Sequence, residues 1–324
     1  MGKIIIWLVV TLLLVGLLIY GLGGKINLSF DLSLNTYKFS DNADYSAASS
    51  FSLESISALD VDWVNGNVKL ISYDGNTIEV SEETQGETDD ALVMRYSVSA
   101  GKLSIKYAAS GTRLPFSFEK QLTIKLPSSM ELSRVSVESA SANVSLDGIC
   151  ATDVELDSTS GKIDIKDCKI ATLEADTTSG AISHTGEIGN VEFDTTSGSI
   201  TIFESNDNGN AGEISCESTS GAINVTLNSS TNVRLSTKTT SGRIDITLAA
   251  PTGGKINAES TSGNCTVSAN DFPDGFTLTR SSVSGSLKND FPVRSEDKKS
   301  IYGDGRLEID ISTVSGSVNI IKTQ

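Results

Sequence analysis

Carboxylates recur at one fixed place in this sequence, four residues before a repeated glycine. The members of this acidic column are Asp62, Glu138, Asp157, Asp176, Asp194, Glu217 and Glu259, with Lys238 interrupting the series. Carboxylates held close together can bind Ca²⁺, which takes several oxygen ligands, or can act as the acid and base of glycoside cleavage. They can also do neither and keep one face of the protein hydrated.

Three interpretations of the acidic column therefore remain open. Like charges stacked on adjacent strands repel by about 1 kcal/mol per neighbouring pair in water, which a few buried aliphatic side chains offset. The pattern favours a solvated face over cation binding, and cation binding over catalysis. The candidate Ca²⁺ ligands are Asp157, Asp176, Asp194 and Glu217. No catalytic residue and no cofactor is predicted.

The glycine that defines the position of this column belongs to a repeated motif, Ser-Thr-Ser-Gly. A short segment of alternating apolar and polar residues follows each copy. The copies end at Gly161, Gly180, Gly198, Gly221, Gly242, Gly263, Gly285 and Gly316. Degenerate copies lie at Gly66 and at Ala142, and the steps from Ala142 to Gly285 are 18 to 23 residues. A period near twenty is typical of a solenoid, in which each repeat forms one coil.

Side chains around each glycine alternate between apolar and polar. The residues seven before and two after the glycine are aliphatic in nearly every copy, as with Val154 and Ile163 around Gly161. A period of two indicates strands with one buried face. The sequence therefore predicts an all-β protein, a β-solenoid (parallel β-helix-like) of about ten coils, preceded by one transmembrane helix. Glycine at each corner should permit a positive φ, and the hydroxyls should bond neighbouring backbone.

An uncharged stretch of nineteen residues, IIIWLVVTLLLVGLLIYGL, begins at Ile4 and ends at Leu22. As a helix it would span about 28 Å, close to the hydrocarbon thickness of a bilayer. Trp7 and Tyr20 lie near its ends, where aromatic rings favour the membrane interface. A cleaved signal peptide is the alternative, but its apolar region is usually shorter and no A-x-A-like site follows. We expect a single-pass anchor in the cell membrane, with the solenoid on the extracytoplasmic side.

Three parts of the chain are predicted from these features. Residues 1–24 form the transmembrane anchor, residues 25–54 a polar connector, and residues 55–324 the solenoid. Within the solenoid, residues 55–129 form irregular N-terminal coils, residues 130–288 the regular repeats, and residues 301–324 the final coil. The last strand, residues 318–321, is then an uncapped edge through which the protein could self-assemble.

Charge and rare residues narrow the functions further. The 324-residue chain has a net charge of −16, which argues against nucleic acid as a partner. His184 is the only histidine, which excludes a histidine-rich metal site within one chain, and the alternation places it inward. Cys150 and Cys168 precede successive corner glycines by eleven and twelve residues. Nearly stacked in this way, they are predicted to form a disulfide if the domain is exported.

Several motifs in order carry a resemblance to a known family. They are LDVDWVNGNVKL at 59–70, LTIKLP at 122–127, YGDG at 302–305 and IDISTVSG at 309–316. With the repeated S-G-x-[IV]-x-[IV] units, the chain resembles the bacterial putative-adhesin family, a domain-of-unknown-function family, from about residue 55 to 321. The resemblance implies a β-solenoid in a membrane-linked cell-envelope protein without an established activity, and it supplies no catalytic residue.

Two classes of function follow. The first is a non-enzymatic envelope protein held in the lipid bilayer by residues 4–22, presenting its solenoid for adhesion, scaffolding or envelope-stress sensing to an envelope protein or a polysaccharide. The second is a polysaccharide-acting enzyme, a lyase or hydrolase, because parallel β-helices host such enzymes. Scattered basic residues and few groove-forming insertions favour the first class.

Overall fold

The computed structural model describes residues 30–31, 36–41, 43–84, 89–115, 118–187, 189–204, 212–228 and 232–323. The predicted anchor, residues 1–24, lies outside these residues, as does the start of the polar connector. No helix in the described ranges is both long and apolar enough to cross a membrane.

The predicted alternation becomes strands almost throughout. The strand formed by Ala58–Trp63 shows the rule, since Leu59, Val61 and Trp63 are buried while the residues between them are partly exposed. Beside the strands, the described residues contain one short 3-10 helix at Asp90–Leu92. The fold is all-β, as predicted.

The strands fall into an N-terminal, a regular and a C-terminal group. The N-terminal group is β1 (Phe30–Asp31), β2 (Thr36–Tyr37), β3 (Ser46–Ala47), β4 (Ser50–Leu53), β5 (Ala58–Trp63), β6 (Gly66–Tyr73), β7 (Ile78–Thr84), β8 (Arg95–Ser99), β9 (Lys102–Lys106), β10 (Thr112–Arg113) and β11 (Lys120–Pro127). The regular group is β12 (Glu131–Ser139), β13 (Asn143–Asp147), β14 (Cys150–Ser158), β15 (Ile163–Lys166), β16 (Lys169–Thr177), β17 (Ile182–Gly186), β18 (Asn190–Thr195), β19 (Ile200–Glu204), β20 (Glu213–Ser218), β21 (Ile223–Leu227), β22 (Val233–Thr239), β23 (Ile244–Leu248), β24 (Gly254–Ser260) and β25 (Cys265–Ala269). The C-terminal group is β26 (Phe276–Ser282), β27 (Leu287–Asn289), β28 (Arg294–Glu296), β29 (Lys299–Tyr302), β30 (Leu307–Thr313) and β31 (Val318–Lys322).

Two long sheets enclose the core, and a small antiparallel sheet of β1, β2 and β10 lies beside them. Each coil contributes one strand to a 13-stranded sheet and one to a 15-stranded sheet, and adjacent coils pair in parallel. Aliphatic rows such as Val135, Val154 and Leu173 stack in register between the sheets and are fully buried. This is the predicted β-solenoid.

The coils at the N-terminal end do not follow chain order. Strands β9 and β11 form a complete coil, residues 102–127, which pairs with the outer side of β5 and β6. Residues 59–70, predicted as the first coil, therefore lie second in the stack. The extra coil escaped the repeat count because Lys120 occupies the register position of the corner glycine, opposite Gly66.

The C-terminal end is also out of order, which corrects the prediction of a final coil at residues 301–324. Strands β30 and β31 are inserted between the coil of β24 and β25 and the coil of β26 and β27. The outermost coil is thus residues 276–289. The predicted uncapped edge at residues 318–321 is wrong, because β31 is paired on both sides.

The corner positions require glycine because the backbones of adjacent coils approach closely there, and not, as predicted, because of a positive φ. Gly161, Gly221 and Gly263 are not among the glycines with positive φ. Instead, the corners of adjacent coils approach so closely that a Cβ on Gly221 would lie 1.6 Å from the carbonyl oxygen of Gly198. The predicted hydroxyl bonds do form, since Ser218 Oγ accepts from Gly221 N at 2.8 Å and donates to Gly198 O at 3.3 Å.

Candidate functional site

The acidic column forms as predicted, on the outer face of the 15-stranded sheet. Strand register places Asp157 beside Asp176, Asp176 beside Asp194, and Asp194 beside Glu217. The inward neighbours of these residues, such as Leu156 and Ala175, are buried in the core and hold the strands in register. The four predicted ligands are therefore brought together on adjacent strands, about 4.8 Å apart.

A second row of carboxylates runs beside the column, two residues earlier on the same strands. Its central members are Glu155, Glu174 and Glu192. The carboxylate at each end of the uninterrupted part of the column forms an ion pair with a lysine. Lys106 Nζ lies 3.5 Å from Asp62, and Lys238 Nζ lies 3.2 Å from Glu217. Within the described residues, none of the column members between Asp62 and Glu217 makes an ion pair.

Burial and mutual repulsion change how the central carboxylates ionise. Partial burial, and then the charges of Asp194 and Asp157, raise the pKa of Asp176 to about 8. Burial, followed by the charge of Glu155, raises the pKa of Asp157 to about 7. Burial, followed by the charge of Glu217, raises that of Asp194 to about 6, although Lys238 opposes the rise. Asp176 Oδ1 is buried and has no hydrogen-bond partner among the described residues. Near neutral pH the centre of the column is therefore only partly ionised.

No sequence pattern indicated the buried ion pair that lies at the N-terminal end. Lys120 Nζ lies 2.8 Å from Glu82 Oε2, and the two side chains are 0% and 2% exposed. The ammonium also donates to the carbonyl oxygens of Leu92, at 2.9 Å, and of Tyr107. Its three protons are thus satisfied by acceptors from three different segments.

Aromatic rings surround this ammonium. The Nζ atom of Lys120 lies 4.2 Å from the ring centroid of Tyr107 and 4.9 Å from that of Trp63. Burial lowers the pKa of Lys120 to about 8, against the opposing effect of Glu82. The pair ties β7 to β11. Because both charged groups are sealed from solvent, they do not offer a surface for a ligand.

The family follows from the sequence over most of the solenoid. A family model described as Toastrack DUF4097 matches residues 56–321. The chain belongs to the Toastrack DUF4097 family. This confirms the resemblance to a putative-adhesin family of unknown function, over almost the same range.

Two solved structures are similar to this Toastrack chain. One is a putative cell adhesion protein from Clostridium sporogenes, at 11% identity, covering 86% of this chain and 98% of that one with a TM-score of 0.23. The other is a putative adhesin from Bacteroides fragilis, at 13% identity, covering 86% and 97% with a TM-score of 0.38. No curated protein matches the chain. At these identities and TM-scores the likenesses carry nothing about function.

The predicted disulfide is not present in the Toastrack domain. All four cysteines are free, and strand register pairs Cys150 with Lys169, so that Cys168 lies one residue out of step. Cys168 Sγ accepts instead from Ile149 N at 3.4 Å. Burial raises the pKa of the Cys168 thiol to about 11, which leaves it unreactive.

His184 lies inward, as predicted. It is buried on β17 between Ile165 and Ile202 of the adjacent strands, with its ring 6.2 Å from that of Phe193. Burial lowers the pKa of His184 to about 4, so that it is neutral at physiological pH. Its position in the core makes it a packing residue.

Calcium binding by the column stays a prediction, and it can be tested directly. The described residues contain no group of three or more His, Cys, Asp or Glu arranged to hold a metal ion. If the column binds Ca²⁺, millimolar CaCl₂ should raise the thermal midpoint of the Toastrack protein, and Asp176→Asn should remove that gain. A midpoint that does not move, with no heat in calorimetry, would leave the column as a solvated face.

At this column a rise in pH should destabilise the folded protein, which is the reverse of the usual effect of an aspartate. Because the pKa of Asp176 is raised from 3.8 to about 8 on folding, its contribution is fully present below about pH 4 and is lost as the pH rises through about 8. We expect Asp176→Asn to raise the thermal midpoint at pH 8, and the gain to shrink towards pH 5. Asp304→Asn, on an exposed turn, is the control. An equal gain at both pH values would contradict the shift.

Proposed function

We propose that this Toastrack protein is a membrane-anchored, non-enzymatic protein of the cell envelope, which presents its solenoid for adhesion, scaffolding or envelope-stress sensing. The anchor is residues 4–22, whose length and lack of charge suit a bilayer. Eleven stacked coils make a rod about 50 Å long, at about 4.8 Å per coil. An envelope protein or a polysaccharide is the partner, and nucleic acid is not.

The observation that carries the proposal is the difference between the two outer faces of the rod. The 15-stranded sheet presents the acidic column and its neighbouring row. The 13-stranded sheet presents neutral side chains such as Ser183, Thr201 and Asn224, and its charges are largely paired with each other, as Arg243 is with Asp245 at 2.8 Å. Two long, chemically distinct faces suit a protein that makes extended contacts.

A polysaccharide-acting enzyme is the alternative, and one observation favours it. Carboxylates with raised pKa values, such as Asp157 and Asp176, are the groups that serve as general acids. They project from a sheet face, however, and nearby cations are already paired with carboxylates, as Lys238 is with Glu217 and Arg134 is with Glu155. If the enzyme hypothesis holds, the protein should release new reducing or unsaturated ends from a polysaccharide, and Asp176→Asn should abolish that release.

The most informative test determines on which side of the membrane the solenoid lies. In a Cys150→Ser background, whose remaining cysteines are buried, Lys162→Cys places a thiol at a half-exposed lysine site just before β15. A membrane-impermeant maleimide should label this variant on intact cells. Gly2→Cys, on the other side of the predicted anchor, should be labelled only after lysis. The reverse pattern would overturn an extracytoplasmic solenoid.

A further inference from the structure

The outermost C-terminal coil is covered over only half of its length. Strand β29 pairs with residues 276–279 of β26, and the hairpin it forms with β28 extends that cover. Strand β27 is the last strand of its sheet and pairs only with β31. In the described part of the chain, the corner after residue 279 and the whole of β27 therefore have no strand over them.

The backbone of β27 has a free side. On one side, Ser286 O accepts from Val318 N at 2.9 Å and Asp290 N donates to Ile320 O at 3.0 Å. Because alternate residues of a parallel strand point their N–H and C=O groups to opposite sides, Leu287 and Asn289 direct theirs away from β31. These groups are positioned to pair with an added strand.

Apolar side chains gather next to this free edge. Val283 and Val314 are 83% and 49% exposed, and Ser284 N donates to Val314 O at 2.9 Å, which stacks the two corners. The same corner position is a threonine in the six preceding coils, namely Thr159, Thr178, Thr196, Thr219, Thr240 and Thr261. Leu287, at an inward position of the last coil, is still 39% exposed. The change from threonine to valine separates the last two coils from the six that precede them in the sequence.

The charge of this end is opposite to that of the rod. Residues 276–303 hold five Lys and Arg against three Asp and Glu, a net charge of +2 in a chain of −16. Arg280 takes the inward position that Ile311 holds in the adjacent coil. Its Nη2 donates to Gly285 O, and it pairs with no carboxylate among the described residues. Its Nε is buried without a hydrogen-bond partner in the described part of the chain, so an anion placed over this guanidinium would be favoured.

We propose that the free edge of β27 binds an extended acidic segment of a partner protein by strand addition. The added strand would pair with Leu287 and Asn289, lay an apolar side chain on Leu287, and place a carboxylate opposite Arg280. A second copy fits less well, because two-fold pairing of β27 with itself brings two Arg280 side chains together. This inference adds a class of partner to the proposed envelope function. It rests on that function only for the side of the membrane on which the partner is bound.

Peptide binding tests the edge. The full chain in detergent micelles is titrated against the fluorescein-labelled peptide Thr-Val-Thr-Glu-Thr-Val, and against the same peptide with Gln or Lys in place of Glu, by fluorescence anisotropy. The Glu peptide should bind about tenfold more tightly than the Gln peptide, as a hydrogen bond to a charged group implies. The Lys peptide should be the weakest of the three.

Two variants separate the contributions. Leu287→Pro removes an N–H that the fold does not use and should abolish binding of the Glu peptide. Arg280→Gln should reduce the affinity for the Glu peptide to that for the Gln peptide. Phe203→Ser, which changes an exposed apolar residue on another coil, is the control and should change nothing. Thermal midpoints of all three variants verify that each is folded.

Three results would overturn the proposal. Equal affinity for the three peptides would remove the role of Arg280, and undiminished binding to folded Leu287→Pro would remove the role of the edge. Dimers in sedimentation that Leu287→Pro disperses would make a second copy the occupant. Maleimide labelling on cells tests the proposed function separately, because peptide binding does not depend on the side of the membrane.

Discussion

Replacing one corner glycine, Gly221→Ala, should destabilise the protein by about 3 kcal/mol or more. The added Cβ would lie 1.6 Å from the carbonyl oxygen of Gly198 and 2.4 Å from its carbonyl carbon. Backbone cannot rotate away as a side chain can, so the two coils must separate at the corner. Separation would also stretch the hydrogen bond between Ser218 Oγ and Gly198 O.

A matched glycine provides the control. Gly253 has no atom within 4 Å of the place where its Cβ would be, and its φ is not positive. Gly253→Ala should therefore be neutral or slightly stabilising. Urea unfolding of the full chain in detergent, followed by circular dichroism, compares the two variants. If both alanines had the same small effect, close approach would not be the reason for glycine at the corner.

Lys120→Met should cost about 3–5 kcal/mol, because it leaves the carboxylate of Glu82 buried without its partner. Glu82 Oε1 would keep the bond from Met94 N at 2.9 Å, but Oε2 would lose the ammonium that lies 2.8 Å from it. The same variant leaves the carbonyl oxygens of Leu92 and Tyr107 without the donor they share. The N-terminal end of the solenoid should then unfold at a lower temperature than the regular coils.

Two further variants make this prediction specific. Lys125→Met, on the same strand, removes an ion pair with Glu79 whose side chains are about half exposed, and it should change stability by less than about 1 kcal/mol. Combining Lys120→Met with Glu82→Leu removes both charges and should recover most of the loss. The measurement is the unfolding free energy of the single and double variants. A double variant as unstable as Lys120→Met would show that the charge pair is not the cause.

The coil-level structure was predictable from particular residues. Ile163, Ile182 and Ile200 recur two residues after a glycine, and this local alternation alone defines the inward face. The same alternation placed His184 in the core and put the acidic column on one outer face. Such features repeat with the coil and need no knowledge of distant contacts.

The order of the coils was not predictable in the same way. Every coil presents nearly the same rows of inward aliphatic side chains. The edge of β24 can therefore pair with β30 about as well as with β26. What decides is the path of the connecting segments, which the repeat does not encode. Lys120 was missed for a related reason, since its partner Glu82 is 38 residues away and carries no pattern of its own.

The sequence by itself determined the all-β fold, the period of the coil and the direction of each side chain, because strand alternation is a local property of the chain. Tertiary structure alone decided which coils are neighbours, why the corner must be glycine, and how far Asp176 is from its usual ionisation. Each of these depends on the distance between backbones or charges in different coils, and that distance exists only once the coils are stacked.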